Sequence, residues 1–300
     1  MDMTQNKCCR HGASLRRRRR RRRKILCFII FSCSIIAVAV FVAVGSSMIR
    51  SGDGRTNRYD VEAGNNTYDN AVIENSKISE NNKIQNEQSM LDDIMNSTQY
   101  PKQLKDIALK NEEALEFVYD YPAEHVKEHT IDLTEEASMD SVPLFVQWDK
   151  RWGYEKYSCN FFAASGCGPT TLSMVVVYLT HNREASPIAV AKYSKEAGYS
   201  VDGSGSSWTL ISEGCRHYGV NAKTIKEDED TFKERLDEGN LIVVNVGPGD
   251  FTDNGHFMVI TGYDDEGFTI NDPNSIIKSN THWQFERLSS QIRAAWRMFV

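Results

Sequence analysis

The longest apolar run of the chain lies close to its N-terminus. Residues 25–44 read ILCFIIFSCSIIAVAVFVAV, twenty positions without a charge, and follow an unbroken basic run from Arg16 to Lys24. As a helix rising about 1.5 Å per residue, this run would cross the roughly 30 Å hydrocarbon core of a bilayer. We therefore predict a basic cytoplasmic arm over 1–24 and a transmembrane anchor over 25–47. Because basic flanks stay in the cytoplasm, everything beyond the anchor is expected outside the cell membrane.

Two other interpretations of this N-terminal region compete with a retained anchor. AVAVFVAVG offers small residues for a signal peptidase, although the apolar core is longer than the roughly 7 to 15 residues of most signal peptides. An arginine run is also typical of nucleic-acid-binding arms. Beyond residue 24, however, the chain carries 24 basic and 40 acidic residues, a net charge of −16. Such a charge opposes binding to a phosphate backbone, so we expect a membrane partner and no nucleic acid.

Two further segments separate the anchor from the C-terminal half. Residues 48–98 are rich in Asn, Ser, Glu, Asp and Lys, a composition that buries too little surface to offset chain entropy, and we predict a flexible polar stalk there. Residues 99–141 are a predicted helical lead-in, with one helix from Pro101 to about Tyr119 that ends before Pro122. Its apolar positions recur at helical spacing, and they are Leu104, Ile107, Ala108, Leu115 and Val118.

The last part of the chain, residues 142–300, is long enough to enclose one core. Its periodicity predicts helices first and strands afterwards. The predicted helices are 168–179, 187–196, 207–218 and 230–238, and the predicted strands are 241–246, 256–263, 268–272 and 294–300. Helices followed by an antiparallel sheet indicate an α+β domain.

One cysteine of this domain stands where a nucleophile would be useful. Residues 163–170 read AASGCGPT, and the apolar stretch that follows is a predicted helix beginning near Cys167. We expect Gly166 to permit a sharp turn and Gly168 to leave room for a substrate, and Pro169 suits a first helical turn. At a helix N-terminus the macrodipole favours the thiolate, and backbone N–H groups there can stabilise an oxyanion.

A base and an orienting carboxylate are available downstream. His256 enters a predicted strand from the turn Asn254-Gly255, and Asp272 ends the next strand. An imidazole that activates a thiol needs a partner on its other nitrogen. The two residues lie on the same face of the sheet only if the residue numbers of opposite residues on the two strands add up to an even number. This is the case when Tyr263 lies opposite Gly267 across a three-residue loop. In that register Asp272 lies opposite Met258, within side-chain reach of His256.

Other uses of these residues are open at this point. A cysteine before an apolar helix is often a packing residue, a single histidine is often structural, and an aspartate before proline is often a turn residue. If any disulfide forms outside the membrane, Cys159 with Cys215 is the expected pair. A zinc site would need Cys-x-x-Cys or His-Glu-x-x-His spacing, which the sequence lacks. We therefore expect no metal and no cofactor.

Three stretches in order resemble a known family. VPLFVQWDKRWG, SGCGPTTLSMV and NGHFMVITGYDDEGFTINDPNS are similar to the papain-like cysteine peptidases related to bacteriocin-leader processing peptidases, in the form with a stand-alone peptidase-like domain. The resemblance covers residues 142–300 and implies a papain-like fold and a catalytic set of Cys167, His256 and Asp272. It also implies that Gln147 contributes to the oxyanion hole, although Gln147 precedes Cys167 by twenty residues, farther than in leader-processing enzymes.

Together these features predict a membrane-anchored, extracytoplasmic cysteine peptidase or related amide hydrolase on a bacterial cell surface. Its expected substrate is a peptide or a peptidoglycan-like molecule. The alternative is a non-catalytic papain-fold module that binds peptides or cell-wall fragments in its groove.

Overall fold

The computed structural model describes the backbone from residue 66 to residue 300 and the side chains from residue 79. The predicted basic arm 1–24 and transmembrane anchor 25–47 lie outside the described residues. Within the described part of the chain, no helix is both long enough and apolar enough to cross a membrane. Residues Asn81–Val300 form one compact unit, and this unit contains the candidate site.

The polar segment before the lead-in is helical over much of its length. Helix α1 spans Asn66–Asn96, a stretch without glycine or proline to interrupt its hydrogen bonds. Near its end, Ile94 is fully buried in a cluster with Leu104. Residues 66–96 of the predicted stalk are therefore helical, and the end of this helix packs in an apolar cluster, whereas the flexibility of segment 48–98 stays a prediction. Its use as a spacer stays a prediction.

The helical lead-in is broken into short pieces rather than one helix. The break lies at Asn111, whose backbone is extended and whose side-chain oxygen accepts a hydrogen bond from the N–H of Glu113. Pro122 lies in the first turn of the last piece, where its missing N–H costs nothing. The pieces are α2 Lys102–Ala108, a 3-10 turn Glu112–Ala114, α3 Leu115–Tyr119 and α4 Tyr121–Glu124.

The C-terminal part has the predicted α+β architecture, with the main helices before a five-stranded antiparallel sheet. The helices are α5 Phe162–Ser165, α6 Cys167–Thr180, α7 Pro187–Glu196, α8 Thr209–Ser212, α9 Glu229–Asp237, α10 Ile276–Ser279 and α11 Phe285–Ser289, with 3-10 turns at Glu136–Ser138 and Gly214–Tyr218. The strands are β1 Lys156–Tyr157, β2 Asn160–Phe161, β3 Ser200–Val201, β4 Gly205–Ser206, β5 Asn221–Thr224, β6 Leu241–Val246, β7 His256–Asp264, β8 Gly267–Asn271 and β9 Ile292–Phe299. Strands β1–β2 and β3–β4 form two small hairpins, and the main sheet has the order β5-β9-β6-β7-β8.

The predicted elements of this part are largely confirmed. Helices α6, α7 and α9 and strands β6 to β9 lie where periodicity indicates them. The predicted helix 207–218 is wrong as one element, since it divides into α8 and a 3-10 turn at Glu213. Strand β5 was not predicted, because its sequence NAKT is polar and mostly exposed at the edge of the sheet.

The main sheet is covered on both faces by apolar clusters. One cluster joins α6 and α7 to inward residues such as Val243, Phe257 and Val259. The other lies on the opposite face, where Phe232 of α9 packs with Val244 and Met258. Alternate residues of β6 and β7 enter opposite clusters, as a pleated strand buried on both faces requires. The sheet is thereby fixed against α6, the helix that begins at Cys167.

A third apolar cluster joins the lead-in to the residues just before α6. Phe117 of the lead-in stacks on Tyr154, with ring centroids 4.3 Å apart, and the same cluster contains Phe161 and Ala163. The hydroxyl of Tyr154 donates to the carbonyl of Phe117 at 2.7 Å. The lead-in is thus part of the folded domain and packs directly behind the segment that carries the predicted nucleophile.

This packing predicts that the lead-in unfolds together with the rest of the domain. We expect Phe117→Ala to lower the free energy of unfolding by about 3 to 5 kcal/mol, because the truncation leaves a cavity in a closed cluster. Leu109→Ala is the control, since Leu109 is 56% exposed and its truncation should cost less than about 0.5 kcal/mol. Urea denaturation followed by tryptophan fluorescence measures both, and equal midpoints for the two variants would contradict the packing described here.

Candidate active site

Cys167 is the first residue of α6, directly after Gly166. A side chain on Gly166 would approach the ring of Phe162 to 2.5 Å, and one on Gly168 would approach the Oγ atom of Ser206 to 2.6 Å. Both glycines therefore permit close packing around the start of the helix. The prediction that Gly168 leaves room for a substrate is wrong, because the β3–β4 hairpin occupies that space through Ser206.

The thiol of Cys167 meets the start of strand β7. The side chain of His256 and the backbone N–H groups of Phe257 and Gly168 lie close enough to the sulfur to act on its pKa. Burial is the strongest influence on the pKa of this thiol and raises it, but the hydrogen bond and positive charge of His256, with the two N–H groups, outweigh burial and hold the pKa below its ordinary value. The surroundings of Cys167 therefore favour the thiolate.

His256 is the first residue of β7 and pairs with Val246 of β6. Its Nε2 atom lies 2.6 Å from Oδ1 of Asp272, and the imidazole is buried. Burial on its own would depress the pKa of His256, but the charge of Asp272, its hydrogen bond and the contact with Cys167 raise the pKa well above its ordinary value. The site thus favours an imidazolium between a thiolate and a carboxylate.

Asp272 follows β8 and is fully buried. Its Oδ1 accepts hydrogen bonds from His256 and from the backbone N–H of Asn274, at 2.6 and 2.8 Å. Its own backbone N–H donates to the hydroxyl of Ser279 at 2.8 Å. Oδ2 has no hydrogen-bond partner among the described residues. The position of the carboxylate therefore depends on one oxygen and on the loop 273–279 that follows.

A β-bulge at Thr261 brings His256 and Asp272 to the same face. The hairpin closes with Asp264 opposite Gly267, so its loop has two residues and the predicted three-residue loop is wrong. Next to this loop, the residue numbers of opposite residues on the two strands add up to an odd number, which places His256 and Asp272 on different faces if the register continues unchanged. Between Ile260 and Gly262 the register shifts by one, and beyond it Val259 pairs with Asn271, an even sum. The predicted register at the site is therefore confirmed. The extra residue of the bulge shifts the pairing by one position and returns His256 and Asp272 to the same face of the sheet.

Gln147 lies between the two halves of the site. Its side-chain Nε2 donates to the carbonyl of Ala163, four residues before Cys167, and its backbone N–H donates to the carbonyl of Pro273, next to Asp272; both distances are 2.7 Å. The residue is buried, and its Oε1 has no partner among the described residues. Gln147 is distant from Cys167 in sequence, but in the structure it contacts Ala163, which precedes Cys167, and Pro273, which follows Asp272.

The other two cysteines of the described residues do not form the expected pair. No disulfide joins Cys159, Cys167 or Cys215 among the described residues. Cys159 is exposed in the β1–β2 turn, whereas Cys215 is fully buried in the cluster beside α6, where burial raises the pKa of its thiol to about 11. The predicted Cys159–Cys215 bridge is therefore wrong for this structure.

Sequence reasoning missed several contacts of the site. The N–H of Phe257 could have been inferred from its place beside His256 at the start of a strand. Trp148, whose Nε1 donates to the carbonyl of Asn274 at 3.2 Å, adjoins Gln147 in the stretch VQWD. The contacts of Asn111 and Glu113 with the loop after Asp272 carry no signal in the sequence, since they join positions more than 160 residues apart.

Comparison with known proteins agrees with this fold. The model of the Peptidase_C39 like family matches residues 139–300, more than half of the chain, and the chain belongs to this family. Membership supports a papain-like cysteine peptidase, with the mixed helix and sheet architecture described above. A search of curated proteins finds no match.

Three solved structures are similar to part of the chain. The peptidase domain of Streptococcus ComA, a bifunctional ABC transporter of a quorum-sensing pathway, shares 21% identity over 53% of this chain and 96% of that domain, with a TM-score of 0.39. A double-glycine motif protease from an AMS/PCAT transporter, solved with a leader peptide, shares 18% identity over 54% and 94% of the two chains, with a TM-score of 0.35. A C39-like peptidase from Bacillus anthracis shares 17% identity over 52% and 94%, with a TM-score of 0.32.

The contact between His256 and Asp272 predicts a large change in the titration of the imidazole. We expect Asp272→Asn to lower the pKa of His256, because the charge of Asp272 is lost and only the contact with Cys167 then opposes burial. NMR titration of the imidazole resonances measures this pKa. Asp264→Asn is the matched control, since Asp264 lies 2.9 Å from the exposed His282 instead. An unchanged His256 titration in Asp272→Asn would contradict the geometry.

Proposed function

We propose that the protein is a membrane-anchored, extracytoplasmic cysteine peptidase that hydrolyses peptide or related amide bonds. The observation that carries this proposal is the series Cys167, His256 and Asp272, in which His256 is hydrogen-bonded to Asp272 and its interaction with Cys167 lowers the pKa of the thiol while the pKa of the imidazole is raised. Such a series supplies a nucleophile, a proton donor and an orienting charge in one place.

The reaction would begin with attack of the Cys167 thiolate on the scissile carbonyl carbon. A bond forms between Sγ and carbon, and the carbonyl oxygen becomes an oxyanion. The backbone N–H of Cys167, at the start of α6, and the amide hydrogen of Gln147 that does not bond to Ala163 are the proposed donors to it. His256 then gives its proton to the leaving amine as the carbon–nitrogen bond breaks, leaving a thioester on Cys167.

Water completes the cycle. Neutral His256 takes a proton from a water molecule, which attacks the thioester; the carbon–sulfur bond breaks and the carboxylic product leaves, restoring the thiolate and imidazolium pair. Throughout, the buried charge of Asp272 stabilises the imidazolium and keeps Nδ1 directed at the thiol, since Nε2 is bonded to Asp272. The family suggests peptides as substrates, and a peptidoglycan-like cross-link has the same amide chemistry.

The membrane location is proposed from the sequence of residues 1–47. An uncharged run of twenty residues after a block of arginines would hold the domain at the outer side of the cell membrane. Deleting residues 1–47 should move the protein from the membrane fraction to the soluble fraction. A protein that stays soluble with these residues intact would contradict the anchor.

Activity is expected to depend entirely on the thiol. On a library of peptides and cell-wall cross-linked peptides, wild type should release new amino termini, and Cys167→Ala should release none above background. Cys215→Ala is the matched control, because it removes a buried thiol outside the proposed site. Equal release by wild type and Cys167→Ala would contradict a peptidase and favour a groove that only binds peptides or cell-wall fragments.

The pKa shifts also predict the pH profile of kcat/KM. Below the lowered pKa of Cys167 the thiol is protonated and the nucleophile is lost, so the acidic limb should lie below about 8.5, the ordinary value of a cysteine. Above the raised pKa of His256 the proton for the leaving amine is lost, so the alkaline limb should lie above about 6.5. The profile should therefore be a bell, with its acidic limb below the ordinary cysteine pKa and its alkaline limb near the raised His256 pKa of about 10. A single limb near the ordinary cysteine pKa would contradict the ion pair.

A further inference from the structure

The loop that follows Asp272 is held by a residue of the lead-in. The carboxylate of Glu113 accepts hydrogen bonds from the backbone N–H groups of Ile276 and Ile277, at 2.7 and 3.0 Å, and from the hydroxyl of Ser275. Glu113 thereby caps the first turn of α10. A charge-assisted bond of this kind is stronger than one between neutral groups.

A neighbouring residue of the lead-in holds the same loop. The side-chain Nδ2 of Asn111 donates to the backbone carbonyl of Asn274 at 2.9 Å and to its Oδ1 at 3.2 Å. The Oδ1 of Asn111 accepts from the N–H of Glu113 at 3.1 Å, which orients the turn that carries the carboxylate. Asn111 and Glu113 together thus fasten residues 274–277 to the lead-in.

These contacts continue to the carboxylate of Asp272. The backbone N–H of Asn274, one end of the held loop, donates to Oδ1 of Asp272 at 2.8 Å. At the other end, Ser279 accepts from the backbone N–H of Asp272. Because Oδ2 of Asp272 has no partner among the described residues, the carboxylate is held through Oδ1 alone, and the loop is also bonded to Gln147 and Trp148. A shift of the loop would therefore move Asp272 away from its 2.6 Å contact with His256.

The lead-in also packs against the other half of the site. Phe117 lies in one cluster with Phe161 and Ala163, and the carbonyl of Ala163 accepts the side-chain hydrogen bond of Gln147. The residues before Cys167 and the loop after Asp272 are therefore held by one short segment, which lies outside the region 139–300 that the family model matches.

We propose that Glu113 is a positioning residue for the reaction, and that the lead-in is an intramolecular clamp that sets the distance between Asp272 and His256. This inference rests on the proposed function, since it assigns Glu113 a role through Asp272. Glu113 does not touch the reacting atoms. Its loss should weaken the charge contact at His256, destabilise the imidazolium and thus raise the pKa of the Cys167 thiol.

The test is the rate of alkylation of Cys167 by iodoacetamide against pH, mapped by mass spectrometry on the full chain. We expect Glu113→Ala to move the midpoint of the profile upward, and each unit of upward shift lowers the rate on the acidic side about tenfold, since the thiolate fraction falls by that factor. Glu112→Ala is the matched control, because Glu112 is the exposed neighbour in the same 3-10 turn. Its profile should equal that of wild type.

A double-mutant cycle separates positioning from general destabilisation. If Glu113 acts through Asp272, Glu113→Ala should shift the midpoint in the wild-type background and add little in the Asp272→Asn background. A merely structural role would lower the melting temperature without moving the midpoint. Glu113→Gln, which keeps the shape and loses the charge, serves if Glu113→Ala does not fold, and a smaller shift in the same direction is expected.

The outcomes distinguish this inference from the function on which it rests. A low midpoint in wild type with the same midpoint in Glu113→Ala and Glu113→Gln overturns the clamp and leaves the peptidase proposal intact. Equal shifts by Glu113→Ala in both backgrounds overturn the action through Asp272. A wild-type midpoint at the ordinary cysteine value contradicts the proposed function itself.

Discussion

The whole site depends on one buried charge contact, the 2.6 Å hydrogen bond between Asp272 and His256. Both side chains are removed from water, and a buried carboxylate without a cationic partner is very unfavourable. The pair therefore favours an imidazolium, and the imidazolium in turn stabilises a thiolate at Cys167. In the proposed function, electrostatic compensation among the three groups would make Cys167 a nucleophile at a pH where an isolated cysteine is mostly protonated.

The fold brings these groups together from elements that are distant in sequence. Helix α6 presents Cys167 at its N-terminus, where the dipole favours negative charge. Strand β7 presents His256 at its first position, and β8 delivers Asp272 just after its end. The sheet is packed against α6 through a shared apolar cluster, so the thiol and the imidazole are held by rigid elements rather than by loops.

Much of this arrangement could be predicted from local patterns. Helical and strand periodicity located α6, β7 and β8, and the requirement for a shared face predicted the even register at Asp272. The route to that register could not be predicted, because a two-residue loop with a bulge at Thr261 and a three-residue loop without one give the same phase. The surroundings of Gly168 could not be predicted either, because its neighbour Ser206 belongs to a hairpin whose position in the fold the local sequence does not indicate.

The contribution of the lead-in was also beyond sequence reasoning. Its apolar spacing indicated helix, but the break at Asn111 and the long-range bonds from Glu113 arise from tertiary contacts with α10. The polar composition of residues 66–96 likewise predicted flexibility, whereas the buried Ile94 ties the end of that helix to the domain. In each case a contact between distant residues overrides a local tendency.

Alkylation of Cys167 against pH, in wild type and in His256→Ala, is the most direct test of the proposed ion pair between His256 and Cys167. We expect a rapid reaction with a midpoint below about 8.5 in wild type, and a higher midpoint once the imidazolium is removed. Cys215, whose buried thiol has a pKa raised to about 11, should stay unmodified in the same samples. A slow reaction of Cys167 with the same midpoint in both proteins would contradict the account and identify Cys167 as a packing residue.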